Sequence, residues 1–176
     1  MSKVIVIDTE TTGLQAGVDE ILQLSIIDGD GNTLYDKYFK PEYQTSWEEA
    51  EAVNGISPQD VADCPSFKSE IETINNIVKD SDIVVGYNTP FDVGFIEASG
   101  ASMPDNAEYY DVMQEFAPIY GEWSDKYGCY KWQKLTVCAA YFGYDWSSTK
   151  AHNSLADCLA TLYCFNKIKA NGVKTA

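Results

Sequence analysis

A strand near the N-terminus, followed directly by two acids, constrains the fold more than any other part of the sequence. The stretch reads Val4-Ile5-Val6-Ile7-Asp8-Thr9-Glu10-Thr11-Thr12-Gly13. Four consecutive β-branched apolar residues predict a strand that is buried on both faces. Side chains alternate along a strand, so Asp8 and Glu10 are expected to point to the same side where the strand ends. Two like charges this close raise each other's pKa unless a cation lies between them. The alternative is a solvated turn before Gly13.

Size and cysteine content limit the class of protein. A chain of 176 residues with 45% hydrophobic residues predicts a single α/β domain over residues 1–176. The sequence begins without a charged and apolar leader and has no apolar run of membrane-spanning length, so we expect a soluble cytoplasmic protein with no membrane partner. Five cysteines, an odd number without a C-x-x-C pair, indicate neither a disulfide framework nor a zinc site.

The charge of the chain is unusual for a nucleic-acid binder. Twelve basic residues against 27 acids give a net charge of −15, and all twelve are lysines. Without arginine the chain cannot make bidentate contacts to phosphate. A polyanionic substrate would have to be held by metal ions, backbone amides, scattered lysines or stacking. We therefore expect contacts to only a few nucleotides, unless a partner supplies a basic surface.

The remaining elements are predicted from hydrophobic periodicity and turn residues. Residues 20–27 and 33–39 form a hairpin that pairs with the first strand in an antiparallel unit. Residues 82–88 form a strand parallel to the first, because a helix precedes them. Residues 109–112 form a fifth strand, and residues 116–132 are expected to be irregular. Helices are predicted from a capping box at Ser46 and Glu49 to Gly55, over 65–78, from Thr89, over 135–142, and near the C-terminus.

A third acid lies at the start of the helix that follows the parallel strand. In Asn88-Thr89-Pro90-Phe91-Asp92, Thr89 suits the N-cap and Pro90 the first helical position. Asp92 could therefore be only the acidic member of a capping box. A strand parallel to the first would, however, deliver this helix start to the sheet edge that carries Asp8 and Glu10. A third carboxylate would then join the pair.

The stretch 126–150 differs from the rest of the chain in charge. It holds four lysines and one acid, Asp145, and also the aromatic residues Tyr127, Tyr130, Trp132, Tyr141 and Trp146. Bases of a single strand stack on aromatic rings while lysines meet its phosphates, so this composition suits single-stranded nucleic acid. The alternative is that the rings pack in the core or in loops.

The last acid and the only histidine lie together in His152-Asn153-Ser154-Leu155-Ala156-Asp157. On the C-terminal helix Asp157 is in line with small and apolar residues, so we expect it to be partly buried and to need a counter-charge such as a metal ion. On the same helix His152 would be rotated by about 140° from Asp157. His152 is therefore expected on the preceding loop, from which it can turn toward the acids.

These three stretches, Asp8 to Gly13, Asn88 to Asp92 and His152 to Asp157, resemble the exonuclease motifs of the DEDDh (DnaQ-like) family. That family includes the proofreading ε subunit of DNA polymerase III and ribonuclease T, and the resemblance implies a ribonuclease H-like fold, here a mixed five-stranded sheet flanked by helices. It implies that Asp8, Glu10, Asp92 and Asp157 hold two Mg²⁺ or Mn²⁺ ions and that His152 is the general base. It further implies that Thr11 and Gly13 contact the 3′-terminal nucleotide and that Leu14 and Ile56 pack on its base.

The chemistry of these residues agrees with the resemblance. Two divalent ions can activate water and stabilise both oxygens of a cleaved phosphodiester, and oxygen ligands suit Mg²⁺ and Mn²⁺. The resulting prediction is a 3′→5′ exonuclease that acts on single-stranded 3′ ends of DNA or RNA and releases nucleoside 5′-monophosphates. Two alternatives stay open, an RNA-trimming enzyme similar to oligoribonuclease or ribonuclease T and a non-catalytic adaptor for a polymerase or another protein partner.

Overall fold

The structure is a computed structural model that describes residues 2–146 and 153–172, without the side chains of residues 171 and 172. A single turn of 3₁₀ helix, Phe67–Glu70, precedes the second α-helix. In chain order the elements are β1 (Val4–Thr11), β2 (Ile21–Asp28), β3 (Thr33–Tyr38), α1 (Glu48–Asn54), α2 (Ile71–Val78), β4 (Ile83–Gly86), α3 (Thr89–Ala98), β5 (Glu108–Asp111), α4 (Val112–Tyr120), β6 (Trp123–Ser124), β7 (Cys129–Tyr130), α5 (Leu135–Phe142) and α6 (Ser154–Gly172).

The first five strands form one sheet in the order β3-β2-β1-β4-β5. The first three strands pair antiparallel, whereas β4 runs parallel to β1 and β5 runs parallel to β4. This arrangement confirms the predicted mixed five-stranded sheet. The parallel strand β4 ends at Gly86, whereas β1 continues past it, so the far half of β1 has an open side on which a helix start can lie.

Helices cover both faces of the sheet, and this explains the unbroken apolar run in β1. Ile5 and Ile7 pack on one face with α2 and α3, in a core that includes Ile74 and Phe95. Val6 packs on the other face with residues of α4, α5 and α6. All three β1 side chains are fully buried, as predicted for a strand with no solvent face. Among the described helices, none is both long and apolar enough to cross a membrane.

Two helix starts differ from the predicted capping boxes. Helix α1 begins at Glu48 with Trp47 as its N-cap and no side-chain cap, so the pair of Ser46 and Glu49 does not act as predicted. The Trp47 indole is buried and donates to Ile56 O, which fixes the path of the chain here. At α3 the N-cap is Asn88, in the left-handed region at φ 71°. Thr89 is the first helical residue, and its hydroxyl donates to Tyr110 O instead of to the helix.

The stretch 116–132 is more regular than predicted. Helix α4 continues to Tyr120 even though Pro118 lies inside it, and it ends at Gly121 with φ 82°. The chain then forms the short antiparallel hairpin β6–β7. Gly128, which has a positive φ of 64°, lies in the turn of the hairpin. Each strand has two residues, too few to show an alternating pattern in the sequence.

Candidate active site

Three acids from two elements converge beside the central strand. Asp8 and Glu10 lie on the face of β1 that α6 covers, and Asp157 lies in the first turn of α6. One carboxylate oxygen from each of the three residues lies within 4.8 Å of the oxygens from the other two. The acids belong to β1 itself, which continues to Thr11, and not to a turn after a strand that ends at Ile7. The solvated-turn alternative is therefore wrong.

A buried polar network holds the start of α6 against the sheet. Ser154 Oγ shares a hydrogen bond of 2.5 Å with Ser25 Oγ of β2. Ser25 Oγ and Gln23 Nε2 both donate to Asp36 Oδ1 on β3, each at 2.9 Å. Gln23 and Ser25 are the β2 partners of Glu10 and Asp8, so the network lies directly across from the acids. It fixes the helix turn from which Asp157 reaches them.

Asp92 approaches the same strand from α3. Its Oδ1 accepts hydrogen bonds from Thr9 N at 2.9 Å and from Thr9 Oγ1 at 2.7 Å. Thr9 lies between Asp8 and Glu10 and points to the opposite face, so α3 reaches β1 where β4 no longer covers it. Asp92 is therefore hydrogen-bonded to the strand that carries the acid pair and does not form the predicted capping box. Among the described residues, the group of oxygens within 4.8 Å comprises only Asp8, Glu10 and Asp157, so Asp92 is not part of it.

Burial and mutual repulsion raise the pKa values of these carboxyl groups. Desolvation raises the pKa of Asp8 well above its ordinary value, and the charges of Asp92, Asp157 and Glu10 raise it further. Desolvation, followed by the charges of Asp157 and Asp92, raises the pKa of Glu10 to about 8. Desolvation raises the pKa of Asp92 to about 7 although the Thr9 hydrogen bonds oppose it. Without a cation the protein must therefore retain protons here that ordinary carboxyl groups release.

The donor set fits a divalent cation. All of its ligands are carboxylate oxygens, which Mg²⁺ and Mn²⁺ prefer, and they are partly buried on rigid elements. A bound cation relieves the repulsion among these acids and supplies the counter-charge that makes their burial less costly. The cluster therefore has both the chemistry and the electrostatic reason to bind metal.

The raised pKa values predict how stability depends on pH without metal. From about pH 4 to pH 8 the folded protein binds more protons at these groups than the unfolded chain does, so the unfolding free energy falls as pH rises. We expect the melting temperature in EDTA to fall by several degrees from pH 5 to pH 8. The melting temperature of the Glu10→Gln variant should fall less over this pH range when both proteins are measured by calorimetry. Equal slopes for the two proteins, or a rise with pH in the wild type, would contradict this prediction.

A cleft beside Glu10 contains most of the predicted substrate residues. It has a volume of about 710 Å³, and its lining includes Thr11, Gly13 and Leu14. The Leu14 side chain is 86% exposed, so its surface is available to a ligand. A Cβ at Gly13 would lie 2.4 Å from the Asp19 carboxylate, so a side chain at this position would require Asp19 to move. Ile56 is 6% exposed and packs in a cluster with Leu22, Trp47 and Val61.

Asn54 is a site residue that sequence reasoning did not identify. Its side chain donates to Thr11 O at 3.3 Å, and its Oδ1 accepts from Ile56 N at 3.0 Å. It also hydrogen-bonds to Glu10 and lowers the pKa of that carboxyl against the larger effect of burial. Gln23 and Ser25 were missed as well, although polar residues inside an otherwise apolar strand were a signal. Asn54 gave no comparable signal because Asn-Gly is ordinary at a helix end.

Two residues complete the account of the predicted site. His152, predicted as the general base, lies outside the described residues. Asp111, to which the sequence assigned no role, caps helix α4 by accepting from Met113 N at 3.0 Å and also accepts from Asn88 N at 3.0 Å. It thus supports the turn that leads to Asp92.

Comparison with known proteins gives the family. The model of the RNase_T family, described as exonuclease, matches residues 5–165. An exonuclease of Escherichia phage 186, itself called uncharacterized, is 32% identical over 96% of this chain and 89% of its own length. The DNA polymerase III ε subunit of Buchnera aphidicola is 31% identical over 53% of this chain and 43% of that protein. The chain therefore belongs to this family of DnaQ-like exonucleases, and it is a nuclease of the hydrolase class.

Longer relatives and solved structures agree on the fold. A PolC-type DNA polymerase III of Staphylococcus saprophyticus is 27% identical over 93% of this chain, which spans only 11% of that protein. Exonuclease X, solved with 5′ overhanging duplex DNA, superimposes with a TM-score of 0.70 at 21% identity, covering 98% of this chain and 95% of that one. E. coli exonuclease I, solved with a dT13 oligonucleotide, gives 0.77 at 19% identity, covering 99% and 42%. The sheet is thus the ribonuclease H-like sheet of these exonucleases.

Proposed function

We propose that this chain is a metal-dependent 3′→5′ exonuclease that removes nucleotides from single-stranded 3′ ends of DNA or RNA and releases nucleoside 5′-monophosphates. The observation that carries the proposal is the convergence of Asp8, Glu10 and Asp157 within 4.8 Å, on a fold shared with exonucleases. A non-catalytic adaptor for a polymerase has no use for carboxylates that destabilise one another. The raised pKa values of Asp8 and Glu10 therefore favour an enzyme.

Each acid has a defined part in the proposed mechanism. Two divalent cations, Mg²⁺ or Mn²⁺, would supply an activated water and stabilise charge on the attacking and leaving oxygens of the phosphodiester. Asp8, Glu10, Asp92 and Asp157 would hold these cations, with Asp92 oriented by its two hydrogen bonds from Thr9. His152 would accept the proton of the attacking water, because an imidazole titrates near neutral pH while the acids serve as ligands.

The cleft beside Glu10 would hold the terminal nucleotide. The backbone of Thr11 and Gly13 would contact its sugar and phosphate, since both residues line the cleft. Leu14, which is exposed on the cleft, would pack on the base. Ile56, whose backbone N–H donates to Asn54 of the cleft lining, would pack on the same base through the small exposed part of its side chain. Since the chain has no arginine, binding in this cleft would be limited to the last few nucleotides unless a further basic surface, of this chain or of a partner such as a polymerase, adds contacts.

Degradation of labelled single strands tests this proposal. DNA and RNA of matched sequence, labelled at the 5′ end, are incubated with the protein in Mn²⁺ or in EDTA. We expect a ladder that shortens from the 3′ end in Mn²⁺ alone, with 5′-mononucleotides as products, and the two rates identify the preferred sugar. Release of the 5′-labelled nucleotide first would contradict the 3′→5′ polarity, and internal cleavage would contradict exonuclease action. The absence of metal-dependent activity on both strands would contradict the proposal and favour the adaptor alternative.

A further inference from the structure

The β6–β7 hairpin exposes four aromatic rings, Trp123, Tyr127, Tyr130 and Trp132. Tyr127 and Trp132 are 70% and 65% exposed, and Trp123 is 52% exposed. Trp123 and Tyr130 support each other edge to face, with ring centroids 5.2 Å apart. Four large rings exposed to water on and beside one short hairpin indicate a binding surface more than a packing requirement. We call these four rings the hairpin platform.

The base of the hairpin is attached to the sheet edge that carries the acids. Tyr87 OH donates to Gln133 O at 2.7 Å. Tyr87 directly follows β4, the strand next to β1, and precedes the helix start that places Asp92. Trp132 is the neighbour of Gln133 in the chain, so the platform begins beside the active-site end of the sheet. A single strand that extends from the cleft along this end of the sheet would meet the platform.

The platform also has a charge opposite to that of the rest of the protein. Residues 122–134 contain three lysines and two acids, Glu122 and Asp125, and so carry a net charge of +1 in a chain whose net charge is −15. Lys126 Nζ lies 4.8 Å from the centre of the Tyr127 ring. Lys131 is paired with Glu122 at 2.6 Å. Lys126 and Lys134 are exposed, and they can meet phosphates while the rings meet bases.

We infer that the hairpin platform binds the single strand on the 5′ side of the nucleotide being removed, by stacking its bases on the exposed rings. This inference rests on the proposed exonuclease function and extends it to the upstream nucleotides. Stacking needs no particular base, since every base has a flat face, so the platform suits an enzyme that degrades any sequence. It would also add contacts to the upstream nucleotides that the cleft does not reach.

The test compares a short and a long substrate. Trp132→Ala and Tyr127→Ala should each raise KM for a twelve-nucleotide oligothymidylate about tenfold, with kcat unchanged, and leave hydrolysis of a dinucleotide unchanged. Both side chains are mostly exposed, so the variants keep the fold. Tyr43→Ala is the matched control, because Tyr43 is 78% exposed and has Lys68 Nζ 5.4 Å from its ring centre but lies outside the hairpin. This control should change neither KM.

A binding assay separates failure of the platform from failure of the proposed function. Anisotropy of the dye-labelled twelve-nucleotide strand, measured with EDTA present so that no cleavage occurs, should show weaker binding for Trp132→Ala and Tyr127→Ala than for Tyr43→Ala. Lys126→Ala should reduce the salt slope of binding by about one. If the wild type cleaves neither substrate, the proposed function is wrong, but the anisotropy assay still tests whether the platform binds the strand. Equal binding by all variants would contradict the inferred role of the platform and would leave the rings as a contact for a protein.

Discussion

The Asp8→Asn variant is expected to lose exonuclease activity by about 10³-fold or more and yet to melt at a higher temperature than the wild type in EDTA. The loss follows because a metal-held transition state gains several kcal/mol, and each 1.36 kcal/mol corresponds to about a factor of ten. The gain in stability follows because desolvation and three neighbouring acids oppose the Asp8 charge in the metal-free protein. Asparagine keeps the shape of the side chain and removes the charge. Single-turnover rates in Mn²⁺ and calorimetric scans in EDTA measure the two effects.

Asp28→Asn is the matched control for this experiment. Its carboxylate accepts from Asp30 N, Asn32 N and the Asn32 side chain in an exposed turn, and these hydrogen bonds lower its pKa. The same substitution should therefore leave activity unchanged and lower the melting temperature. An Asp8→Asn protein that is active, or that is destabilised in EDTA as Asp28→Asn is, would show that Asp8 is not a repelled metal ligand.

The His152→Ala variant is expected to lower kcat by about 10²- to 10⁴-fold, the usual contribution of a general base. It should leave the Mn²⁺-induced rise in melting temperature unchanged, because the proposed ligands are the four acids. This pattern distinguishes a base from a ligand, since Asp8→Asn should lose both activity and stabilisation by Mn²⁺. A His152→Ala protein that Mn²⁺ no longer stabilises would assign the imidazole to the metal. One that retains full activity would exclude it as the base.

The sequence was sufficient where one pattern had one physical meaning. The apolar run of β1 could only be a strand covered on both faces, and the spacing of Asp8 and Glu10 then placed both acids on one side. The parallel pairing of β4 with β1 followed from the intervening helix. The family resemblance joined Asp157 to the pair, and the structure brings these three acids together.

The sequence was insufficient where tertiary contacts compete with local signals. Asp92 had the spacing of a capping residue, but its carboxylate accepts from the uncovered backbone N–H of Thr9 at 2.9 Å. The Ser46 capping box was overridden by the buried Trp47. The support for Asp157 from Gln23 and Ser25 spans more than a hundred residues of sequence, and no local pattern reports such a contact. The short hairpin could not be recognised because strands of two residues have no period.

The number of bound metal ions shows whether the four acids form a two-metal site. Isothermal titration of the protein with Mn²⁺ in the presence of a nucleoside 5′-monophosphate, the proposed product, gives the number of ions and their affinity. We expect two Mn²⁺ ions per chain in the wild type, with proton release on binding because the pKa values of Glu10 and Asp92 are raised to about 8 and about 7. Asp8→Asn should lose this binding while Asp28→Asn retains it. No saturable binding, or binding that Asp8→Asn leaves unchanged, would contradict the assignment of these carboxylates as the metal site.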